Sequence, residues 1–146
     1  MIFSFSISLI GLLFLLINAI LFFYSRKGKD KVYFFLMLYL MIQFVVELCC
    51  NIIGFLYPNE NFFLSHYYFI IQFILLSFFF SNVLLNPFLK KLVYINLILV
   101  LLSLGFQYAE TPSLYWKFNN YEIGVTSLLL IFYSIIYFYE NISNTY

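Results

Sequence analysis

The chain is 146 residues long, 65% apolar, 25% aromatic and 9% charged, with a net charge of +1 and a mean hydropathy of +1.01. A water-soluble globule carries about 25% charged residues, so this composition excludes a soluble fold and implies an integral membrane protein. The near-neutral charge gives no footing for nucleic-acid binding, and no polar break is long enough for a second domain, so residues 1–146 are read as one transmembrane domain.

The apolar runs are continuous rather than alternating, which predicts helices and not barrel strands. The first helix spans Ile2 to Tyr24. It has no basic segment before it and no A-x-A cleavage pattern, and its apolar run exceeds the ~7 to 15 residues of a signal peptide, so it is read as a retained helix. After SRKGKDK comes a second helix, Val32 to Tyr57, and after YPNEN a third, Phe62 to Leu85. The fourth, Leu92 to Phe106, is short for a span, although Lys90 and Lys91 before it have stems long enough to reach the interface and extend it. The longest polar break, from Gln107 to Asn120, precedes a fifth helix from Tyr121 to Tyr139. The fold class is therefore all-α, a membrane bundle of five helices.

Orientation follows from the positive charges. Arg26, Lys27, Lys29, Lys31, Lys90 and Lys91, six of the seven basic residues, fall in the first and third breaks, and Lys117 is the seventh. Those breaks should be cytoplasmic and the amino terminus outside, in a bacterial cytoplasmic membrane. Trp116, Tyr108, Tyr115 and Tyr121 in the fourth break read as an interfacial aromatic belt on the outer side. The tail ENISNTY would then be cytoplasmic without a basic anchor, which fits either a misplaced last span or a chain shortened relative to longer proteins.

Chemistry-bearing motifs are sparse. Cys49 and Cys50 are adjacent, about 100° apart on a helix, and are expected to be reduced and buried. A redox C-x-x-C pair and a zinc ligand set are both missing from the sequence. The single histidine, His66, rules out bis-histidine haem ligation in one subunit. The expectation is no metal, no cofactor and no enzymatic activity.

What the sequence does offer is Glu47, in the stretch VVELCCN. A charge at mid-span costs about 3 kcal/mol on insertion scales, so the residue should face the bundle interior, find partners or be protonated. Gln43, Glu47 and Asn51 recur at steps of four and share one face. On the third helix Ser65, Tyr68 and Gln72 also share a face, and Gln72 is level with Glu47 when both are counted from the short loop between antiparallel helices. His66 lies one turn nearer the outer surface. The cluster Gln43, Glu47, Asn51, Ser65, His66, Tyr68 and Gln72 has two readings. It is interhelical packing worth about 0.6 to 2 kcal/mol per hydrogen bond, or a proton or ligand site facing a wet cavity. An enzyme would need His66, Glu47 and Tyr68 brought within hydrogen-bond reach.

The stretch NFFLSHYYFIIQFILLSFFF, followed by Lys90 and Lys91, resembles a segment of small, uncharacterised multi-spanning membrane proteins common in Bacteroidetes. In those proteins a helix opens with His-x-Tyr and carries an acidic residue four positions after the tyrosine. Here the positions are His66, Tyr68 and Gln72, with an amide where the resemblance implies an acid. The resemblance covers the second and third helices and brings no activity with it. Two function classes remain: a membrane-embedded interaction or sensory module, and a small transporter or channel subunit with a proton or ligand site near Glu47. The partners expected are the lipid bilayer and either further copies of the chain or another membrane protein.

Overall fold

The computed structural model describes residues 2–24, 31–57 and 62–143. They form five helices: α1 (Ile2–Tyr24), α2 (Lys31–Leu56), α3 (Phe62–Val83), α4 (Pro87–Glu110) and α5 (Asn120–Ser143), with a 3-10 turn at Pro112–Trp116 before α5. Four of them, α2 to α5, are long and apolar enough to cross a membrane. The all-α bundle expected from the hydropathy pattern is the architecture observed.

Helix α5 runs four residues past its predicted end, Tyr139. The largest departure is α4, which starts five residues earlier and ends four residues later than its apolar run, Leu92 to Phe106, predicts. The reason lies in its ends. Asn86 caps the helix by accepting the Phe88 N–H at 2.9 Å, and Pro87 occupies the first turn, where its missing N–H costs nothing. The helix runs on until Thr111, ahead of Pro112, donates its N–H to the Gln107 carbonyl at 3.0 Å. Much of the polar break predicted between Gln107 and Asn120 is therefore helix or 3-10 turn.

Helix α3 is the axis, packing on α2, α4 and α5, whereas α1 touches only α2 among the described residues. Side-chain pairs give the directions. Phe35 stacks on Phe78 with ring centroids 5.5 Å apart, and Gln72 Nε2 donates to the Tyr39 hydroxyl at 3.5 Å, so α2 and α3 are antiparallel. Ser81 paired with Tyr94 and His66 with Tyr108 make α3 and α4 antiparallel. His66 paired with Glu122 and Phe80 with Tyr133 make α3 and α5 parallel.

The core is built by α3, α4 and α5. Val93, Leu97, Val100 and Leu104 form the buried stripe of α4 and meet Phe73, Phe80, Leu84 and Tyr133. Ile95, Ile98, Leu99, Leu102 and Phe106 of α4 point outward and are exposed. Lipid tails are as apolar as leucine, so outward apolar side chains cost nothing and inward ones give little selective drive. Packing shape and buried polar bonds must hold the helices.

The topology-setting residues Arg26, Lys27 and Lys29 lie outside the described residues. Lys31 opens α2, and Lys90 and Lys91 lie in the first two turns of α4, which places these three at one end of the bundle and Lys117 at the other.

At the lysine end, the link between α3 and α4 leaves backbone N–H groups without helical acceptors. Glu140, 9% exposed near the end of α5, takes two of them: Oε2 accepts from the Leu85 N–H at 2.8 Å and Oε1 from the Asn86 N–H at 3.0 Å. Replacing Glu140 with Leu strips both amides of their acceptor and should lower stability by about 2 to 4 kcal/mol, at ~1 to 3 for a buried unsatisfied donor, as measured by reversible unfolding in mixed micelles. Glu140→Gln should lose about half as much, because its carbonyl can replace one carboxylate oxygen but not both.

Candidate functional site

The opposite end of the same three helices holds a denser polar junction. It is assembled by the start of α5. Asn119 precedes the helix and caps it, its Oδ1 accepting the N–H groups of Tyr121 at 3.2 Å and Glu122 at 3.3 Å. Its amide nitrogen donates to Gln107 Oε1 and to the Tyr108 hydroxyl oxygen, both at 3.2 Å. All the hydrogen-bonding capacity of this side chain is therefore engaged in tying α5 to the end of α4.

Glu122 follows in the first turn of α5, where the helix dipole favours an anion. It is fully buried, 0% exposed, and His66 is 3% exposed. Glu122 Oε2 lies 2.9 Å from His66 Nδ1 and also accepts a very short hydrogen bond from the Tyr108 hydroxyl. Tyr108 Oη is in turn 2.8 Å from His66 Nδ1. On the far side of the imidazole, Nε2 is 3.1 Å from the Tyr115 carbonyl oxygen. Thr126, one turn on, donates to the Glu122 carbonyl at 2.7 Å. One histidine thus meets side chains of α4 and α5 and the backbone of the 3-10 turn.

A carbonyl only accepts, so His66 donates from Nε2 to Tyr115. Nδ1 faces both Glu122 Oε2 and the Tyr108 hydroxyl, and its contact with the carboxylate is an ion pair when the imidazole is protonated. Glu122 Oε1 is buried without a hydrogen-bond partner among the described residues.

Around the junction is an aromatic rim. Tyr115 packs on His66 with ring centroids 5.8 Å apart, and its hydroxyl pairs with that of Tyr67 at 2.8 Å. The Tyr67 hydroxyl, with burial, holds the Tyr115 phenol above its ordinary range. Trp116 packs on Tyr115 at 5.2 Å and on Phe63 at 5.9 Å.

The cluster expected from the sequence divides. Gln43, Glu47, Asn51, Ser65, Tyr68 and Gln72 lie along α2 and its seam with α3, while His66 points to the other side of α3. Buried Gln43 reaches Tyr68. Gln72, expected level with Glu47, bonds to Tyr39 instead. Asn51 accepts from the Ser8 hydroxyl of α1 at 2.6 Å and donates to the Glu47 carbonyl at 2.9 Å and to its carboxylate at 3.4 Å. Ser65 turns back to the Phe62 carbonyl at 2.5 Å. Glu47, Ser65 and Tyr68 border a cleft of about 280 Å³ together with Cys50, Phe62, Phe69 and Phe118. His66, Glu47 and Tyr68 are thus not assembled into one site. Cys49 and Cys50 are free thiols, half-buried rather than fully buried, because α1 covers α2 only along one side.

Sequence reasoning passed over Glu122, Asn119 and Glu140 and took Tyr108 as a belt residue. One signal was available. Asn119 to Glu122 reads N-x-x-E ahead of an apolar run, the pattern of a helix start that fixes a carboxylate in the first turn. Compared with known proteins, the chain matches no family model, no curated protein and no solved structure.

Because Glu122 is sealed from water, removing one partner strands the other. Replacing either His66 or Glu122 with Leu should cost about 3 to 5 kcal/mol, whereas Tyr108→Phe, which removes one donor, should cost about 1 to 2. The order of unfolding midpoints in mixed micelles checks this ranking.

Proposed function

We propose that this chain is a multi-pass protein of the bacterial cytoplasmic membrane that acts as a membrane-embedded interaction or sensory module and catalyses no reaction of its own. The observation that carries the proposal is the sealed His66–Glu122–Tyr108 junction. It joins three helices and the 3-10 turn through one imidazole, so a change at that side chain is felt at once by α3, α4, α5 and the turn. Its surroundings suit a relay of packing rather than turnover, since the reacting groups face one another and not a cleft.

Orientation adds to this. Lys31, Lys90 and Lys91 at one end and the lone Lys117 at the other favour a cytoplasmic lysine end, an outside amino terminus and a junction on the external side. The His66-x-Tyr68 pattern fits the Bacteroidetes membrane proteins that this segment resembles, without adding an activity. A second reading, a small transporter or channel subunit, draws support from the cleft beside Glu47 and would require further copies of the chain to enclose a path.

The chain carries its own reporter. Trp116 is the only tryptophan and follows Tyr115, whose carbonyl holds His66. The polar groups facing the junction are Tyr108 and Gln107 from α4, Asn119 from the cap before α5, Glu122 from α5, and Tyr115 from the turn. In lipid nanodiscs, Trp116 emission should shift in His66→Gln and in Glu122→Gln relative to the native chain, because each variant breaks the contact that holds the turn beside Tyr115. Emission unchanged in both variants contradicts the sensory proposal.

A further inference from the structure

On the far side of α3 from the junction, Glu47 is an acid at membrane depth with little to hold it. It lies about 14 Å along α2 from Leu56, at 1.5 Å per residue, and is half-buried. Among the described residues its carboxylate takes one hydrogen bond, a long one, 3.4 Å from the Asn51 amide of its own helix. It has no ion-pair partner among the described residues, where the ion pair formed is His66 with Glu122. A charge so placed is costly in hydrocarbon and gains from any cation brought to it.

The walls specify which cation. The cleft at Glu47 is lined by Phe62, Tyr68, Phe69 and Phe118, with Ser65 and Cys50. Three phenyl rings and a phenol line the cleft, and aromatic and apolar surface attracts cations of low hydration. A metal ion would need several oxygen or nitrogen ligands, and among the described residues no group of three metal-ligating side chains exists. An inorganic cation would also leave the aromatic walls unused. The cleft volume of about 280 Å³ is near the low end of small-ligand pockets, about 300 to 1,000 Å³. Phe62, in the first turn of α3, and Phe118, in the link before α5, belong to the end of the bundle where α2 finishes, so the cleft opens toward that interface.

We propose that this cleft binds a lipophilic organic cation, a quaternary ammonium or phosphonium bearing aromatic or apolar groups, with Glu47 as counter-ion and the rings of Phe62, Tyr68, Phe69 and Phe118 as its cage. The cleft and the His66 junction share no side chain, so the two proposals are tested on different residues.

Tetraphenylphosphonium is a suitable probe and tetraphenylborate its control, since the two share size and shape and differ in sign. With the full chain in nanodiscs, equilibrium dialysis should find saturable binding of tetraphenylphosphonium that tetraphenylborate does not reproduce. Glu47→Gln should weaken binding by about tenfold or more, Glu47→Asp should retain most of it, and Phe69→Ala should weaken it severalfold, the loss of one cation–π contact. Ser65→Trp, which fills the cleft while keeping the acid, should abolish it. Each variant is compared at matched helicity and monodispersity. Equal binding of the borate, or phosphonium binding undiminished in both Glu47→Gln and Ser65→Trp, would overturn the proposal.

Discussion

A carboxylate with no access to water must be met by donors, and Glu122 is met by an imidazole from α3 and a phenol from α4. In a bilayer this requirement carries unusual weight. Apolar side chains lose nothing by facing lipid, so the leucines and phenylalanines that fill the core do not by themselves choose one arrangement of helices over another. A buried acid does choose, because few placements of α3 and α4 supply both donors at once. The capping by Asn119 makes the choice sharper. It fixes where α5 begins and, through Gln107 and Tyr108, where α4 ends relative to it.

The same logic operates at the other end of the unit, with different chemistry. Glu140 reaches from late α5 to two backbone amides released by the α3–α4 link. Helices α3, α4 and α5 are therefore fastened near both ends by carboxylates of one helix, with the core of Phe73, Phe80, Val93, Leu97, Val100, Leu104 and Tyr133 between them. Helices α1 and α2 are joined differently. Helix α2 packs along α3 at least as extensively as α4 and α5 do, with Tyr39–Gln72 and Gln43–Tyr68 at the seam, and Ser8–Asn51 ties α1 to α2.

Hydropathy made the helices legible, because a membrane demands long uninterrupted apolar runs and leaves few alternatives. It shortened α4, since Pro87, the two lysines and the stretch from Gln107 to Glu110 look like a break to a hydropathy scale yet suit the ends of a helix. That α2 and α3 are antiparallel neighbours was also legible, from the short loop between them and the polar stripe on each. The individual bonds were not, because a level pairing of Glu47 with Gln72 and one of Tyr39 with Gln72 differ by about two turns of register.

His66 was harder. Helix α3 carries polar residues on two sides, Ser65, Tyr68 and Gln72 on one and His66, Ser77 and Ser81 on the other, and periodicity alone does not assign a lone histidine to a partner some 50 residues away in the chain. Glu122 had a local signature in N-x-x-E, but that pattern points to a cap and not to a distant imidazole. Glu140 had no signature, because its partners are backbone amides, which every residue but proline possesses.

The central claim is that His66 and Glu122 act as a pair, and a double-mutant cycle measures it directly. Unfolding free energies of the native chain, His66→Gln, Glu122→Gln and the double variant should give a coupling of about 1 to 3 kcal/mol, above the ~0.6 average of interhelical hydrogen bonds in a membrane protein. Additivity within about 0.5 kcal/mol would mean that the two side chains do not support each other, and the junction would lose its standing as the interaction that orders the bundle.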